Sequence, residues 1–291
     1  MADINRSAIS LPSEISSEII AKTQEESAIM RLARQVVLPG NGATVPVITA
    51  DPEAAWVAET AQKPVSNSTV SSKLMTAYKI AVIETFSKEF ARDAKALYDE
   101  LIRRLPAALA GVFDATVIGA TAAPGQNFDT FAACTAQSIL NANNGTYLGL
   151  VAADADIAAH GGVMNGLAFG AQGRGLLLTA TDTTNRPLFL ASPAEGVVDR
   201  VLGVPAYFNR KLYKAAASGA AARVGVAGDW SKAVYGTVEG VQISVSDQAT
   251  VVSGQNTINL WQQNMIGVLA EIEVGFRADT SCFNLLTGST T

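Results

Sequence analysis

The period of apolar and polar positions changes along this chain, and the changes divide it into segments. Between Leu11 and Pro39, Ile15, Ile19 and Thr23 recur at four-residue spacing behind Pro12, Ser13 and Ser16. Glu18 and Lys22 can pair on the outer face, so the spacing predicts a helix that Pro39-Gly40-Asn41-Gly42 ends. Residues 44–86 read as extended. Val45-Pro46-Val47-Ile48 is a strand that Pro46 confines to an edge, and Ala54-Ala55-Trp56-Val57-Ala58-Glu59 is a second. Lys63-Pro64-Val65-Ser66-Asn67-Ser68 is turn chemistry. A long alternation follows, with Val70, Ser72, Leu74, Thr76, Tyr78, Ile80 and Val82 on one face. Two long strands joined by a polar tip predict a β-hairpin arm. Such an arm has no core of its own and must lie against something else.

The helical period is strongest after Ser87, a good cap residue. Phe90, Ala94, Leu97, Leu101 and Leu105 form one apolar stripe between charged positions, which predicts a long amphipathic helix. Pro106 is expected to bend or break it between Ile102 and Pro106, with helix resuming at Leu109, Val112 and Phe113. Residues 119–175 are rich in Ala, Gly, Asn and Thr. Short helices are expected at Thr130–Asn141 and Ala153–His160, and Gly170, Gly173 and Gly175 read as a loop. Gly203–Phe208 reads as a strand and Gly228-Asp229-Trp230-Ser231 as a turn. Val241, Ile243 and Val245 alternate. Ile266, Val268, Ala270, Ile272, Val274 and Phe276 alternate opposite Glu271, Glu273 and Arg277, as a half-buried antiparallel strand does. The tail Thr287–Thr291 is small and polar and is expected to fray.

Composition adds one constraint. Charged residues make up 16% of the 291 residues, against roughly 25% in ordinary domains. Mean hydropathy is +0.22, yet no run of about 18 apolar residues exists to span a membrane. The apolar surplus must be buried within protein, and large charge-poor interfaces between subunits are one place for it. A net charge of −5 without a basic run argues against tight nucleic-acid binding. Met1 to Ser10 carries no charged-then-apolar leader, so the chain is expected to be cytosolic when made. Cys134 and Cys282 are far apart and are expected to stay reduced there.

Candidate chemistry is sparse. The only histidine, His160, precedes Gly161-Gly162, but the Gly-x-Ser-x-Gly elbow of esterases is missing. One His and two distant Cys make a poor zinc set, and Asp154 and Asp156 lack the rest of a calcium loop. No phosphate-binding loop is present, and Glu271 and Glu273 read as the solvated face of a strand. We therefore assign no catalytic, cofactor-binding or metal-binding residue.

Taken in order, these pieces resemble the major capsid proteins of tailed bacteriophages, with an α+β fold of the Hong Kong 97 type. Leu11-Pro12-Ser13-Glu14-Ile15-Ser16 is similar to that family's N-terminal arm, and Ala55-Trp56-Val57-Ala58-Glu59 with Pro64 and Ser66 resembles its extended loop. The passage from Val70 into Ser87-Lys88-Glu89-Phe90-Ala91-Arg92-Asp93 resembles the entry to its spine helix. Gly228-Asp229-Trp230 and the stretch from Ile272 to Leu286 resemble its later turn and final strands. The resemblance implies an N-terminal arm at 1–43 and an extended loop at 44–80. It implies a peripheral domain at 81–128 and 235–291 with the spine helix, and an axial domain at 129–234. It implies a non-enzymatic subunit without cofactors that assembles with itself into pentamers and hexamers around weakly contacted double-stranded DNA. Leu11, Pro12, Ile15, Trp56, Glu59, Lys63 and Lys73 are then the expected contacts between subunits, and Pro106 the bend of the spine helix. A separate scaffolding protein, a portal and decoration proteins are the other expected partners, with no membrane. The expected location is the virion capsid, reached through the host bacterial cytoplasm. The rival readings are a bacterial encapsulin nanocompartment, which shares the fold, and a hydrolase with a non-standard site. A lysine–asparagine cross-link known in some relatives has no matching partner for Lys63 or Lys73.

Overall fold

The structure, a computed structural model, describes residues 21–40, 42–48, 56–57, 70–89, 94–140, 145–182, 184, 186–189, 199–217, 219–238, 241–253 and 256–289. Residues 21–26 are helical, as the spacing around Thr23 predicts. The helix does not continue to Pro39. After Ser27 a short helix α1 (Ala28–Leu32) gives way to strand β1 (Arg34–Val37). The β-branched pair Val36-Val37 suits a strand, and β1 lies parallel to β10 (Ala233–Thr237).

Two sheets form the body. The first has five strands. Its centre is the long β14 (Met265–Ala278), which pairs antiparallel with β4 (Tyr78–Ser87), β10 and β11 (Gln242–Ser246). The long helix α2 (Ala94–Val117) covers it, with Leu101, Leu105 and Leu109 buried against Val268, Ala270 and Ile272. The second sheet has six strands, in the order β5 (Thr135–Ser138), β15 (Phe283–Ser289), β9 (Ala222–Gly228), β6 (Gly166–Phe169), β8 (Val204–Phe208) and β7 (Arg200–Val201). Helices α3 (Gly145–Ala159) and α4 (Ala171–Thr179) pack on it. Two hairpins stand apart as two-stranded sheets, β2 (Ala43–Ile48) with β3 (Val70–Met75), and β12 (Thr250–Ser253) with β13 (Asn256–Asn259). The architecture is α+β. Its sheets divide the chain differently from the expected segments, because β15 lies in the six-stranded sheet although it falls within residues 235–291.

An aromatic cluster welds the two sheets. Phe276 from β14 meets Phe113 of α2 at 6.0 Å and Phe131 at 5.6 Å, and Phe131 stacks on Phe283 of β15 at 4.5 Å. Trp230 closes the cluster edge-on and donates its indole N–H to the Gly166 carbonyl at 2.9 Å. The turn expected at Gly228–Ser231 is present. Asp229 caps it by accepting from the Ser231 amide and hydroxyl and from Asn165.

Several expectations are corrected. Helix α2 runs unbroken through Pro106, which is itself buried. An interior proline costs about 3 kcal/mol. Each fully buried leucine returns roughly 1.5–3 kcal/mol, and Leu101, Leu105 and Leu109, each at 1% exposure, outweigh that cost. Ser87 ends β4 instead of capping the helix, and Phe90 lies outside the described residues. In place of a helix at Thr130–Asn141 there is one 3-10 turn (Phe131–Ala133) followed by β5, whose parallel pairing with β15 overrides local preference. Helix α3 begins at Gly145, before the expected Ala153. Gly173 and Gly175 lie on α4, where a side chain at Gly173 would meet the Val224 carbonyl at 2.6 Å. Thr287 and Ser289 pair with β9 instead of fraying.

The C-terminus of α2 is closed by Gly119, at φ +77°, with the Ala120 amide bonded to Ala115 O and the Gly119 amide to Thr116 O. Arg223 and Lys214 donate to the freed Ile118 and Gly119 carbonyls, where positive charge suits the helix dipole. Within α2, Asp114 reaches the start of α1. Its carboxyl accepts from the Ser27 hydroxyl at 2.6 Å and the Ala28 amide at 3.1 Å. Burial pushes its pKa up to about 7 against these hydrogen bonds. A raised folded pKa means that the native state holds the proton more tightly than the unfolded chain. The stability this confers is full below about pH 4 and is lost as pH rises through about 7. Melting temperature measured from pH 5 to pH 8 should therefore fall, by the equivalent of a few kcal/mol. Asp114→Asn, which mimics the protonated acid, should flatten that fall. An equally steep fall in the variant would assign it to another group.

Candidate functional site: the root of the hairpin

Alternation from Val70 to Val82 predicts one continuous strand, but the chain changes sheets at Thr76-Ala77. Strand β3 pairs only with β2, and β4 pairs with β14. The inward face flips at this point. Leu74 is exposed and Met75 is fully buried, whereas Tyr78, Ile80 and Val82 are half-buried two residues apart. Met75 packs with Leu38 and Val234 over Gly236 and Gly275, which face each other as register partners on β10 and β14. A Cβ at Gly275 would lie 2.7 Å from the Thr76 carbonyl oxygen and 2.8 Å from Met75 Cγ; one at Gly236 would lie 2.5 Å from Leu38 Cγ. Only glycine lets the hairpin root approach the sheet this closely.

Beside this seat, Arg277 ties three segments together. Its Nε and Nη2 donate to the Leu74 carbonyl at 2.8 and 2.6 Å, Nη1 to Asp129 Oδ1 at 2.8 Å, and Nη2 to Asn127 Oδ1 at 3.0 Å. Asp129 also accepts from Lys73 Nζ at 3.1 Å and from the Ala278 amide at 3.2 Å. Arg277 was expected on the solvated face of β14 with Glu271 and Glu273; it is 7% exposed. The alternation holds to Val274, after which the hairpin root and the 126–129 loop cover the other face as well. Glu271 remains at the surface, paired with Lys79 at 2.9 Å.

The other expected site residues are scattered. Lys73 spends its ammonium inside the subunit, on Asp129 and the Ala278 carbonyl. Trp56 is fully exposed, and residues 56–57 are not in a strand. Leu11, Pro12, Ile15, Glu59 and Lys63 lie outside the described residues. Arg277, Asp129 and the glycine pair were missed by sequence reading; a glycine inside an apolar strand, as at Gly275, is the signal that points there.

Among the described residues no catalytic grouping is assembled. His160 is exposed, its Nδ1 2.8 Å from the Asp156 carbonyl one turn earlier. Burial pushes the Cys134 thiol up to about 12, far from a nucleophilic thiolate. Among the described residues no three His, Cys, Asp or Glu side chains converge as metal ligands, and no helix is long and apolar enough to cross a membrane. Apolar surface, by contrast, is left open. Helix α3 buries Leu150, Ala153 and Ile157 and exposes Tyr147, Leu148 and Val151 on its other side. Asp154 shares that exposed side, so the open apolar surface is a patch over the first turns of the helix.

The described residues present a rooted hairpin and open apolar surface and gather no metal-binding set. The phage capsid family model matches residues 8–280, and the chain belongs to that family. It is 29% identical to the probable major capsid protein gp17 of Mycobacterium phage L5 over 95% of this chain and 89% of that protein. The corresponding protein of Mycobacterium phage D29 is 27% identical over the same shares. Among solved structures, a chain from Mycobacterium phage Ogopogo superimposes with a TM-score of 0.70 at 18% identity, covering 91% of this chain and 92% of that one. One from Gordonia phage Cozz gives 0.68 at 22% identity, covering 91% and 87%. The Hong Kong 97-type fold implied by the sequence is thereby borne out.

Gly275→Val should cost about 1–3 kcal/mol of stability by forcing Met75 off its seat. Gly175→Ala, on α4 with nothing within 4 Å of the added carbon, should be neutral or stabilising by up to about 1 kcal/mol. Urea unfolding of both variants checks the contrast. Equal stability of Gly275→Val and the unaltered chain would show that the close approach is dispensable.

Proposed function

We propose that this capsid protein assembles through pentamers and hexamers into an icosahedral shell around double-stranded DNA and catalyses no reaction. The observation that carries the reading is the hairpin. Its root is bonded into the body through Arg277 and Met75, while Trp56 beyond its paired strands is fully exposed. An exposed indole on an arm with no core of its own is an anchor awaiting a neighbour. Leu11, Pro12 and Ile15 of the N-terminal arm, with Glu59 and Lys63 of the loop, are proposed as further contacts between copies. We assign the five-stranded sheet with α2 to the peripheral domain and most of the six-stranded sheet to the axial domain. A separate scaffolding protein, a portal and decoration proteins complete the proposed set of partners, with assembly in the host cytoplasm. The family match and the capsid names of the relatives favour this reading over a nanocompartment shell or a hydrolase.

Replacing residues 49–69 by Asn-Gly, a two-residue hairpin turn, should leave a cooperatively melting subunit that forms no shells by negative-stain imaging. Loss of the cooperative melt would assign the hairpin to the core instead. With a net charge of −5, free subunits should bind DNA weakly and in a salt-sensitive way. Tight sequence-specific binding at physiological salt would contradict the shell reading.

A further inference from the structure

The four residues Asp229-Trp230-Ser231-Lys232 have a counterpart 50 positions later, Asp279-Thr280-Ser281-Cys282. Each forms one 3-10 turn, entered through an extended aspartate with φ and ψ of −90° and 94° in the first and −83° and 95° in the second. In each the aspartate Oδ1 accepts from the serine amide and hydroxyl, at 3.1 and 2.6 Å in the first turn and 3.3 and 2.7 Å in the second. Aspartate bonds of this kind fix the backbone of a turn locally. The two turns are also bonded to each other. The Asp229 amide donates to the Cys282 carbonyl at 3.0 Å, and the Asp279 amide to the Lys232 carbonyl at 3.1 Å. Each turn carries the chain between the two main sheets, the first from β9 to β10 and the second from β14 to β15.

This reciprocal arrangement sets the fourth residues of the two turns side by side. Lys232 Nζ lies 3.3 Å from Cys282 Sγ. The lysine is half-buried and the cysteine fully buried, so the amine lies between the sulfur and the surface. Lys232 Nζ also donates to the Gly161 carbonyl at 3.4 Å, and among the described residues it forms no salt bridge. The sulfur faces the His160 carbonyl at 3.6 Å, and a Cβ at Gly162 would stand 3.3 Å from it. Cys282 is in no disulfide. It is a free thiol held against an amine.

We propose that Lys232 and Cys282 form a modification site, at which peroxide joins the two side chains through a nitrogen–sulfur bond. The Cys282 thiolate attacks one oxygen of hydrogen peroxide. The S–O bond forms, the O–O bond breaks, and the released hydroxide leaves as water with the proton the thiol gave up. Sulfur is oxidised by two electrons and peroxide is reduced. Lys232 then loses a proton to solvent, and its amine attacks the sulfenic acid. The N–S bond forms, the S–O bond breaks, and the hydroxyl leaves as water with an amine proton. One peroxide is consumed and two waters are released for each link. Capture of a sulfenic acid by a neighbouring nitrogen is the ordinary route to a sulfenamide. Two rigid turns that hold the nitrogen beside the sulfur favour this capture over further oxidation, because positioned groups react as one molecule. The link ties both sheet crossings together and closes a long loop, which restricts the unfolded chain. It needs only the folded subunit, and outside a cell no cytosolic reductant reverses it.

The test is peptide mapping by mass spectrometry of the folded Cys134→Ser protein, before and after treatment with hydrogen peroxide. Linked Lys232 no longer directs trypsin, so the peptide 224–277 should appear joined to 278–291, lighter than the two together by two hydrogen atoms. Dithiothreitol should release both peptides, and the melting temperature of the folded protein should rise on treatment and fall back on reduction. Lys232→Arg keeps the charge but lacks the amine, and should leave Cys282 as a sulfenic acid that dimedone traps, or carry it on to sulfinic acid. If Cys134→Ser does not fold, the same digest of the unaltered chain gives the result, because Cys134 falls in the separate peptide 105–174. Sulfinic acid at Cys282 beside unmodified Lys232, a disulfide between Cys134 and Cys282, or an unchanged Cys282 after treatment would each overturn the proposal and leave the shell reading standing.

Discussion

The buried guanidinium of Arg277 is the joint on which the hairpin's position depends. At 7% exposure it needs its donors matched, and the acceptors come from two separate stretches: Leu74 at the root, and Asn127 and Asp129 in the loop after α2, where the Ala278 amide in turn donates to Asp129. Removing one partner from a buried pair costs about 3–5 kcal/mol, because the other charge is left uncompensated. That penalty makes the joint close to all-or-none. The glycine pair adds a steric condition, since Arg277 can reach the Leu74 carbonyl only while Met75 sits flush on Gly236 and Gly275. Neither condition stabilises the hairpin tip. Both fix where the tip projects, and direction is what an assembling arm must control.

The parts of this structure that were legible in the sequence are those where one face of an element is buried and the other is not. Strand β14 reads correctly from Ile266 to Val274, and the stripe through Leu101 and Leu105 marks the face of α2 that meets it. Reading failed where tertiary packing covers both faces or changes the partner. Arg277 follows the alternation into an expected solvated position, but the hairpin root lies there. Leu74 and Tyr78 belong to one period in the sequence and to two sheets in space, because the strand switches partner at Thr76. Pro106 was expected to bend or break α2; the helix does not break there, because the leucine contacts on either side of it outweigh its cost. The Ala- and Gly-rich stretch from 119 to 175 has little periodicity. Its strand β5 exists because β15, nearly 150 residues later, pairs with it.

The low charge content now has a structural account. Charges inside the subunit are few and committed, as in the Arg277–Asp129–Lys73 group and in Asp114 at the start of α1. The surface keeps large apolar side chains open in separate places: Trp56 beyond β2, Tyr147 and Leu148 on α3, and Val252 and Trp261 around the β12–β13 hairpin. Apolar patches on several sides suit a subunit with several neighbours better than a monomer or a simple dimer.

The joint is tested most directly by electron microscopy of Arg277→Lys under conditions in which the unaltered protein forms shells. Lysine keeps the positive charge for Asp129 but cannot span Asp129, Asn127 and the Leu74 carbonyl together. If Arg277 sets the direction of the arm, the variant melts cooperatively yet yields open sheets or free capsomers in place of closed shells. Closed shells of unchanged size and yield would contradict the account, because the arm would then be positioned without its joint.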